Sequence, residues 1–152
     1  MKPTLQLELQ FASTALEEKW GALLSKAKVK KWVSAALQEN AHITVRFVGQ
    51  AESKKLNLAY RKKNYATNVL TFPYELQAGI ESLTADIVIC LPVVQKEAKE
   101  QDKEVLAHVI HLLVHGTLHA QGFDHEDAVE AEGMESLEIA ILKKLRQHNP
   151  YA

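Results

Sequence analysis

Three histidines stand within the eleven residues His115-Gly116-Thr117-Leu118-His119-Ala120-Gln121-Gly122-Phe123-Asp124-His125. Neutral imidazole is the commonest protein ligand for zinc and its neighbours. His115 and His119 are four positions apart, so on a helix both rings project from one face about one turn apart. Gly122 falls where that helix can end, because glycine takes the left-handed backbone of a helix C-terminus without steric cost. The chain can then turn and bring His125 towards the other two. Three nitrogen ligands with an open fourth position is the arrangement of a catalytic zinc, not of a closed structural one.

A histidine pair at this spacing is a weak signal alone, since a satisfied structural histidine is the commoner fate. His111, His115 and His119 form an i, i+4, i+8 row, with His108 close by, so a pair at 111 and 115 is also open. The glycine selects 115, 119 and 125: H-x3-H-x2-G-x2-H is the ligand spacing of the metzincin proteases. One position departs from that pattern. Metalloproteases carry a glutamate directly after the first histidine, as general base for the metal-bound water; here that residue is Gly116. Peptide hydrolysis therefore lacks its expected base. Asp124 and Glu126 flank His125, and read equally well as carboxylates orienting imidazoles or as solvated acids opening an acidic helix.

The elements that must position these groups are legible from periodicity. Thr4 to Phe11 alternates as a strand, with Leu5, Leu7, Leu9 and Phe11 on one face. Thr14-x-x-Glu17 reads as a capping box opening a helix through Leu24. A stripe of Val29, Trp32, Val33, Ala36 and Leu37 predicts a second helix, and Ile43 to Val48 a second strand. Glu52 to Lys63 is expected as a helix with Leu56, Ala59 and Tyr60 inward, stopping at Asn64. Val69 to Phe72 reads as a short strand ended by Pro73, and 77–82 as a loop. Ala85 to Leu91 has the apolar run of a central strand covered on both faces. Pro92 opens a helix to about Lys99. Val105 to Ala120 is apolar nearly all round, which marks a buried helix. Asp127 to Arg146 is the last helix, packing Met134, Leu137, Ile141 and Leu145. Tyr60, Tyr65 and Phe72 could stack bases but are expected in the core, and the lone Cys90 is expected as a small core residue. The expected fold is one α/β (α+β) domain over residues 1–152, with a small four-stranded mixed sheet and helices packed around it.

Composition bounds the function. The chain has 152 residues, 47 % apolar and 24 % charged, as in ordinary globular domains. Without a signal-like leader or a membrane-length apolar run, and with a single cysteine, a cytoplasmic protein is expected, with no membrane partner. The net charge of −1 hides a division. Residues 19–63 hold eleven Lys and Arg against two Glu, and residues 86–138 twelve Asp and Glu against three Lys. Such a division suits either two solvated faces or a basic surface for a polyanion. The whole-protein basic balance of many nucleic-acid binders is absent.

The stretch H-G-T-L-H-A-Q-G-F-D-H-E resembles the signature of the YbeY family of bacterial endoribonucleases, H-G-x-L-H-x-x-G-[YFW]-D-H. Two upstream blocks agree with it, Tyr60 to Pro73 (Y-R-K-K-N-Y-A-T-N-V-L-T-F-P) and Ala85 to Cys90 (A-D-I-V-I-C), so the likeness covers essentially the whole chain. Asn64 and Asn68 stand where many members have aspartate, and Ala85 where many have glycine. The resemblance implies a zincin-like metal-site helix and a zinc-dependent, single-strand-specific endoribonuclease. Its RNA would be ribosomal precursors, including the small-subunit 3′ end, with a part in ribosome quality control. It implies one Zn2+ per chain held by His115, His119 and His125. Its partners would be single-stranded RNA, the small ribosomal subunit and ribosome-associated factors, with no DNA. Arg61 falls on the family's functionally important arginine.

The residue chemistry is consistent with that implication. A phosphodiester needs charge stabilisation at phosphorus, which a metal and an arginine supply together. Arg61 is expected as the catalytic cation, because its planar fork matches two phosphate oxygens, and Arg61, Lys62 and Lys63 together as substrate-binding cations. Without the family match, Arg61 reads as an exposed cation at a helix end. Two other readings stand beside this one: a metallohydrolase of another substrate, such as a peptidase, and a non-catalytic zinc-stabilised ribosome-associated factor.

Overall fold

The computed structural model describes residues 2–74, 82–124 and 126–152. Most of the loop expected over 77–82 lies outside the described residues, and so does His125. The elements follow in the order β1 (Leu5–Phe11), α1 (Thr14–Trp20), α2 (Lys26–Ala36), β2 (Ala41–Val48), α3 (Gln50–Arg61), β3 (Val69–Pro73), β4 (Leu83–Cys90), α4 (Leu91–Glu100), α5 (Val105–Ala120) and α6 (Ala128–Lys144).

The four strands make one mixed sheet in the order β1-β2-β4-β3. β1 and β4 both run parallel to the central β2, while β3 pairs antiparallel with β4 and leaves an open sheet edge. The period-2 pattern assigns the two faces. Ile43, Val45 and Phe47 of β2 and Ala85, Ile87 and Ile89 of β4 are fully buried, in the main core with residues of α2, α5 and α6. Val48, Leu70, Val88 and Cys90 turn to the opposite face, where Leu56 of α3 and Phe72 pack against them. Cys90 is a buried core residue, as expected, and burial pushes its thiol pKa up.

The expected stripe of α2 is the buried one. α5 has the expected bounds, and most of its length is buried. Three expectations are corrected. α1 is capped by Ser13, whose hydroxyl accepts from the Leu16 amide, not by Thr14, and it ends at Trp20 rather than Leu24. α3 ends at Arg61, capped by Lys62 in the left-handed conformation, and not at Asn64. The third correction concerns the buried face of α3, which is polar: Ser53 and Asn57 are buried there, while Ala59 and Tyr60 are exposed. The physical reason is the segment that follows. The Ser53 hydroxyl donates to the Thr67 carbonyl at 2.8 Å and accepts from the Thr67 amide at 2.9 Å. The Asn57 amide donates to the Tyr65 carbonyl at 2.8 Å. Buried polar groups are kept where such bonds replace those to water, and these fasten the link from α3 to the edge strand. Tyr65, expected in the core, is also exposed.

Candidate metal centre

α5 carries His115 and His119 with their rings nearly parallel, at an interplanar angle of 11° and a centroid separation of 6.4 Å. The helix ends as its glycine requires. Gly122 has φ +99, and the Phe123 amide donates back to the Leu118 carbonyl. That turn brings the Phe123 carbonyl to 3.0 Å from Nδ1 of His119. A carbonyl only accepts, so Nδ1 carries the proton, and in the neutral ring Nε2 has the lone pair.

His115 is set in the same way by a different group. Its Nδ1 lies 2.5 Å from Oε1 of Glu138, a completely buried carboxylate on α6. Burial alone would raise the Glu138 pKa. Hydrogen bonds from His111, His115 and Tyr151 outweigh it and hold the carboxyl at about 2. An ionised carboxylate fixes Nδ1 as the donor and leaves the lone pair on Nε2 of His115. Both rings thus present the same nitrogen, each backed by an acceptor on the other, as in metal-binding histidines generally. Among the described residues no third His, Cys, Asp or Glu completes a metal-type cluster; the third expected ligand, His125, lies outside them. The donor set and its backing fit a zinc-type ion.

The other two histidines of α5 have different tasks. Nε2 of His111 lies 3.2 Å from Oε2 of Glu138, which also accepts from the Tyr151 hydroxyl near the C-terminus. His108 is buried and bonds Glu97 at 2.9 Å, and burial pushes its pKa down despite that carboxylate. Glu97 accepts in turn from the Asn68 amide at 2.9 Å. The alternative ligand pair at 111 and 115 is therefore disfavoured: the ring nitrogens that His111 and His115 bring together both point to one carboxylate.

His115 and His119 open onto a cleft of about 680 Å³ that straddles the edge strand β3. Thr67 to Phe72 line it together with Tyr60, Arg61, Asp124 and Glu126. Arg61 is exposed and makes no ion pair among the described residues. Lys62 and Lys63 lie on the exposed turn beyond it and do not line the cleft.

Gly116 turns away from the ligands. A Cβ placed there would stand 3.1 Å from Cγ2 of Ile87 and 3.3 Å from Oγ1 of Thr71. The glycine lets α5 lie close against the sheet beside the edge strand. Sequence reading singled out His115 and His119 but missed Glu138 and Tyr151, which stand behind His115. A signal existed for Glu138, a charge in the otherwise apolar row of Met134, Ile141 and Leu142.

The fold and the sequence agree with known proteins. The model of the family Endoribonuclease YbeY matches residues 9–146. An endoribonuclease YbeY of Polynucleobacter asymbioticus is 55 % identical over 97 % of this chain and 94 % of its own length. One of Paraburkholderia phymatum is 52 % identical over 98 % and 97 %, and one of Thiobacillus denitrificans 49 % identical over 99 % of each chain. A solved structure from Thermotoga maritima shares the fold with a TM-score of 0.54 and 23 % identity, over 93 % of this chain and 92 % of that one. With its signature histidines on α5 and a match that spans nearly its whole length, the chain belongs to the YbeY endoribonuclease family.

Proposed function

We propose that this protein is a zinc-dependent endoribonuclease that cuts single-stranded RNA, with ribosomal RNA precursors as substrate and ribosome quality control as its setting in the cytoplasm. The observation that carries this reading is the shared cleft. Arg61, from the end of α3, and His115 and His119, from α5, line one depression although they are distant in sequence. His115, His119 and His125 would hold the zinc, which when bound supplies a Lewis acid at the phosphate. The family name borne by the relatives gives the reaction class, and the residues give a division of labour. Arg61 presents its guanidinium fork to the phosphate and neutralises charge that grows during attack on phosphorus. The Phe123 carbonyl and the Glu138 carboxylate hold the two imidazoles in register. Lys62 and Lys63 extend the positive surface beyond the cleft, where they would meet neighbouring phosphates of the same strand. No helix among the described residues is long and apolar enough to cross a membrane.

The test uses purified full-length protein, prepared without chelator, on one RNA in single-stranded and duplex form. The expected result is about one zinc per chain, preferential cutting of the single strand, and loss of zinc in His119→Ala. Arg61→Ala is expected to keep zinc and fold while cleavage falls at least tenfold, the order of one lost charged contact in a transition state. A zinc content near zero overturns the metal assignment. Undiminished cleavage by Arg61→Ala removes that residue from the active site.

A further inference from the structure

The residue beside Arg61 is spent in a way the fold does not need. Tyr60 occupies the last turn of α3, where its period in the sequence suggested burial, yet it is 67 % exposed. Its ring is not left unsupported. Phe72 of the edge strand meets it edge-on at a centroid distance of 5.0 Å and an interplanar angle of 62°. Phe72 is itself anchored in the smaller core cluster with Leu70 and Val88. The result is a largely exposed aromatic ring, braced by its T-shaped contact with Phe72, in the lining of the cleft that holds His115 and His119.

We propose that Tyr60 is the stacking platform for one unpaired nucleobase of the strand whose phosphate Arg61 engages, and that it is a source of the preference for single strands. The inference rests on the proposed endoribonuclease reading and adds a base subsite to it. The occupant follows from the surroundings. Tyr60 is followed in the chain by Arg61, Lys62 and Lys63, all exposed, and Arg61 lines the same cleft, so the ring stands beside cations suited to a polyanion. A strand that lays a phosphate against Arg61 has its base about one nucleotide length away, within reach of the adjacent ring. Every base offers a π-face, so such a platform selects strand state and not sequence. A duplex keeps its bases stacked on each other and offers no free face.

The test places 2-aminopurine, whose fluorescence falls on stacking, at successive positions of a single-stranded RNA and reads it by stopped flow before cleavage. Wild-type protein is expected to quench it at one position and not in a duplex. Tyr60→Phe keeps that quenching, whereas Tyr60→Leu and Tyr60→Ala lose it and bind about 5- to 150-fold more weakly, the span of one base–aromatic contact. Zinc content and circular dichroism of the variants show that the fold is intact. In cleavage of the same RNA, an abasic nucleotide at the quenched position lowers wild-type kcat/KM by a similar factor and adds nothing to the loss in Tyr60→Ala.

Quenching that survives in Tyr60→Ala, or abasic and Tyr60→Ala losses that simply multiply, would overturn the proposal. So would quench and affinity that are unchanged in Tyr60→Ala, the result expected if Tyr60 instead serves a protein partner. Failure of the parent reading has a different appearance, since wild-type protein then cuts no RNA while the quenching experiment still reports on Tyr60.

Discussion

Glu138→Gln is the substitution that tests most sharply how the metal centre is held. The change preserves shape and removes one charge from a side chain that is completely buried. Oε1 of Glu138 accepts from His115, and Oε2 accepts from His111 and from the Tyr151 hydroxyl. A glutamine has one accepting atom where the carboxylate has two. If its oxygen stays with His111 and Tyr151, its amide group faces Nδ1 of His115. That ring must then give up the Nδ1 proton, and in the neutral form Nε2 becomes protonated and loses its lone pair. If the amide is reversed, His115 keeps its tautomer, while His111 and Tyr151 must rearrange around a donor inside the fold.

Either orientation weakens metal binding, the first by taking the lone pair from Nε2 and the second by replacing the charged acceptor behind His115 with a neutral one that leaves the ring less basic. Partners of this kind are worth about 10- to 100-fold in affinity, or about 1.4 to 2.7 kcal/mol. The assay is competition for zinc between the protein and a chromophoric chelator at pH 7. It should show affinity lower by that factor in Glu138→Gln, with circular dichroism unchanged. Tyr151→Phe leaves the carboxylate and the His115 bond in place, so its loss should be smaller. Zinc affinity in Glu138→Gln equal to that of wild type would refute the reasoning, because His115 would then need no acceptor behind it.

Two further predictions concern stability. Gly116→Ala should gain about 1 kcal/mol in helix propensity and lose about 1 to 3 kcal/mol to crowding against Ile87 and Thr71. Its Tm should therefore be unchanged or lower by a few degrees, and the larger Gly116→Val should fall clearly below it in thermal unfolding. Glu52 forms a two-bond ion pair with Arg46, at 2.7 and 3.0 Å, and the Arg46 hydrogen bond is the main cause of its lowered pKa. A carboxylate with a lowered folded-state pKa adds stability above its unfolded pKa and loses it as pH falls through the folded one. Both side chains are 33 % exposed, so solvent screening limits the pair to about 0.5–1 kcal/mol. Glu52→Gln should lower Tm by about 2 °C at pH 7. The gap should close as pH falls below the ordinary carboxylate range; a gap that persists in acid would assign the effect to packing.

The strongest sequence signals came from segments whose burial is uniform. Val105 to Ala120 is apolar nearly all round because α5 lies between the sheet and other helices, so its bounds could be read to the residue. β4, central in the sheet, was legible for the same reason. α3 misled because its buried face is polar. Ser53 and Asn57 carry no apolar signal of burial, and only the carbonyls of Thr67 and Tyr65 explain it. The site was half legible. The spacing of His115 and His119 is local and survives in sequence. The approach of Arg61 to α5 depends on β3 folding back against β4, which no local pattern records. Glu138 was hidden for another reason, as one acid among many in an acidic region.

The contact at Gly116 also bears on which chemistry the cleft can perform. In a metalloprotease the position after the first ligand supplies the base. Here a side chain at that position would begin 3.1 Å from Cγ2 of Ile87 and 3.3 Å from Oγ1 of Thr71, so a carboxylate could enter only by displacing those side chains. The missing base is thus a consequence of packing as well as of residue type. Close packing brings the histidines to the edge strand, and the edge strand joins them to Arg61 in one cleft. A peptide bond is poorly served by this exchange, because it needs a general base and gains little from an arginine. A phosphodiester is better served. Its transition state carries negative charge that a guanidinium can meet, and in RNA the 2′-hydroxyl places a second nucleophile beside phosphorus. Among the described residues, the carboxylates that line the cleft are Asp124 and Glu126, which follow α5 in the chain and do not stand at position 116. The same glycine that removes the protease base therefore favours a substrate that brings its charge, and in one route its nucleophile, with it.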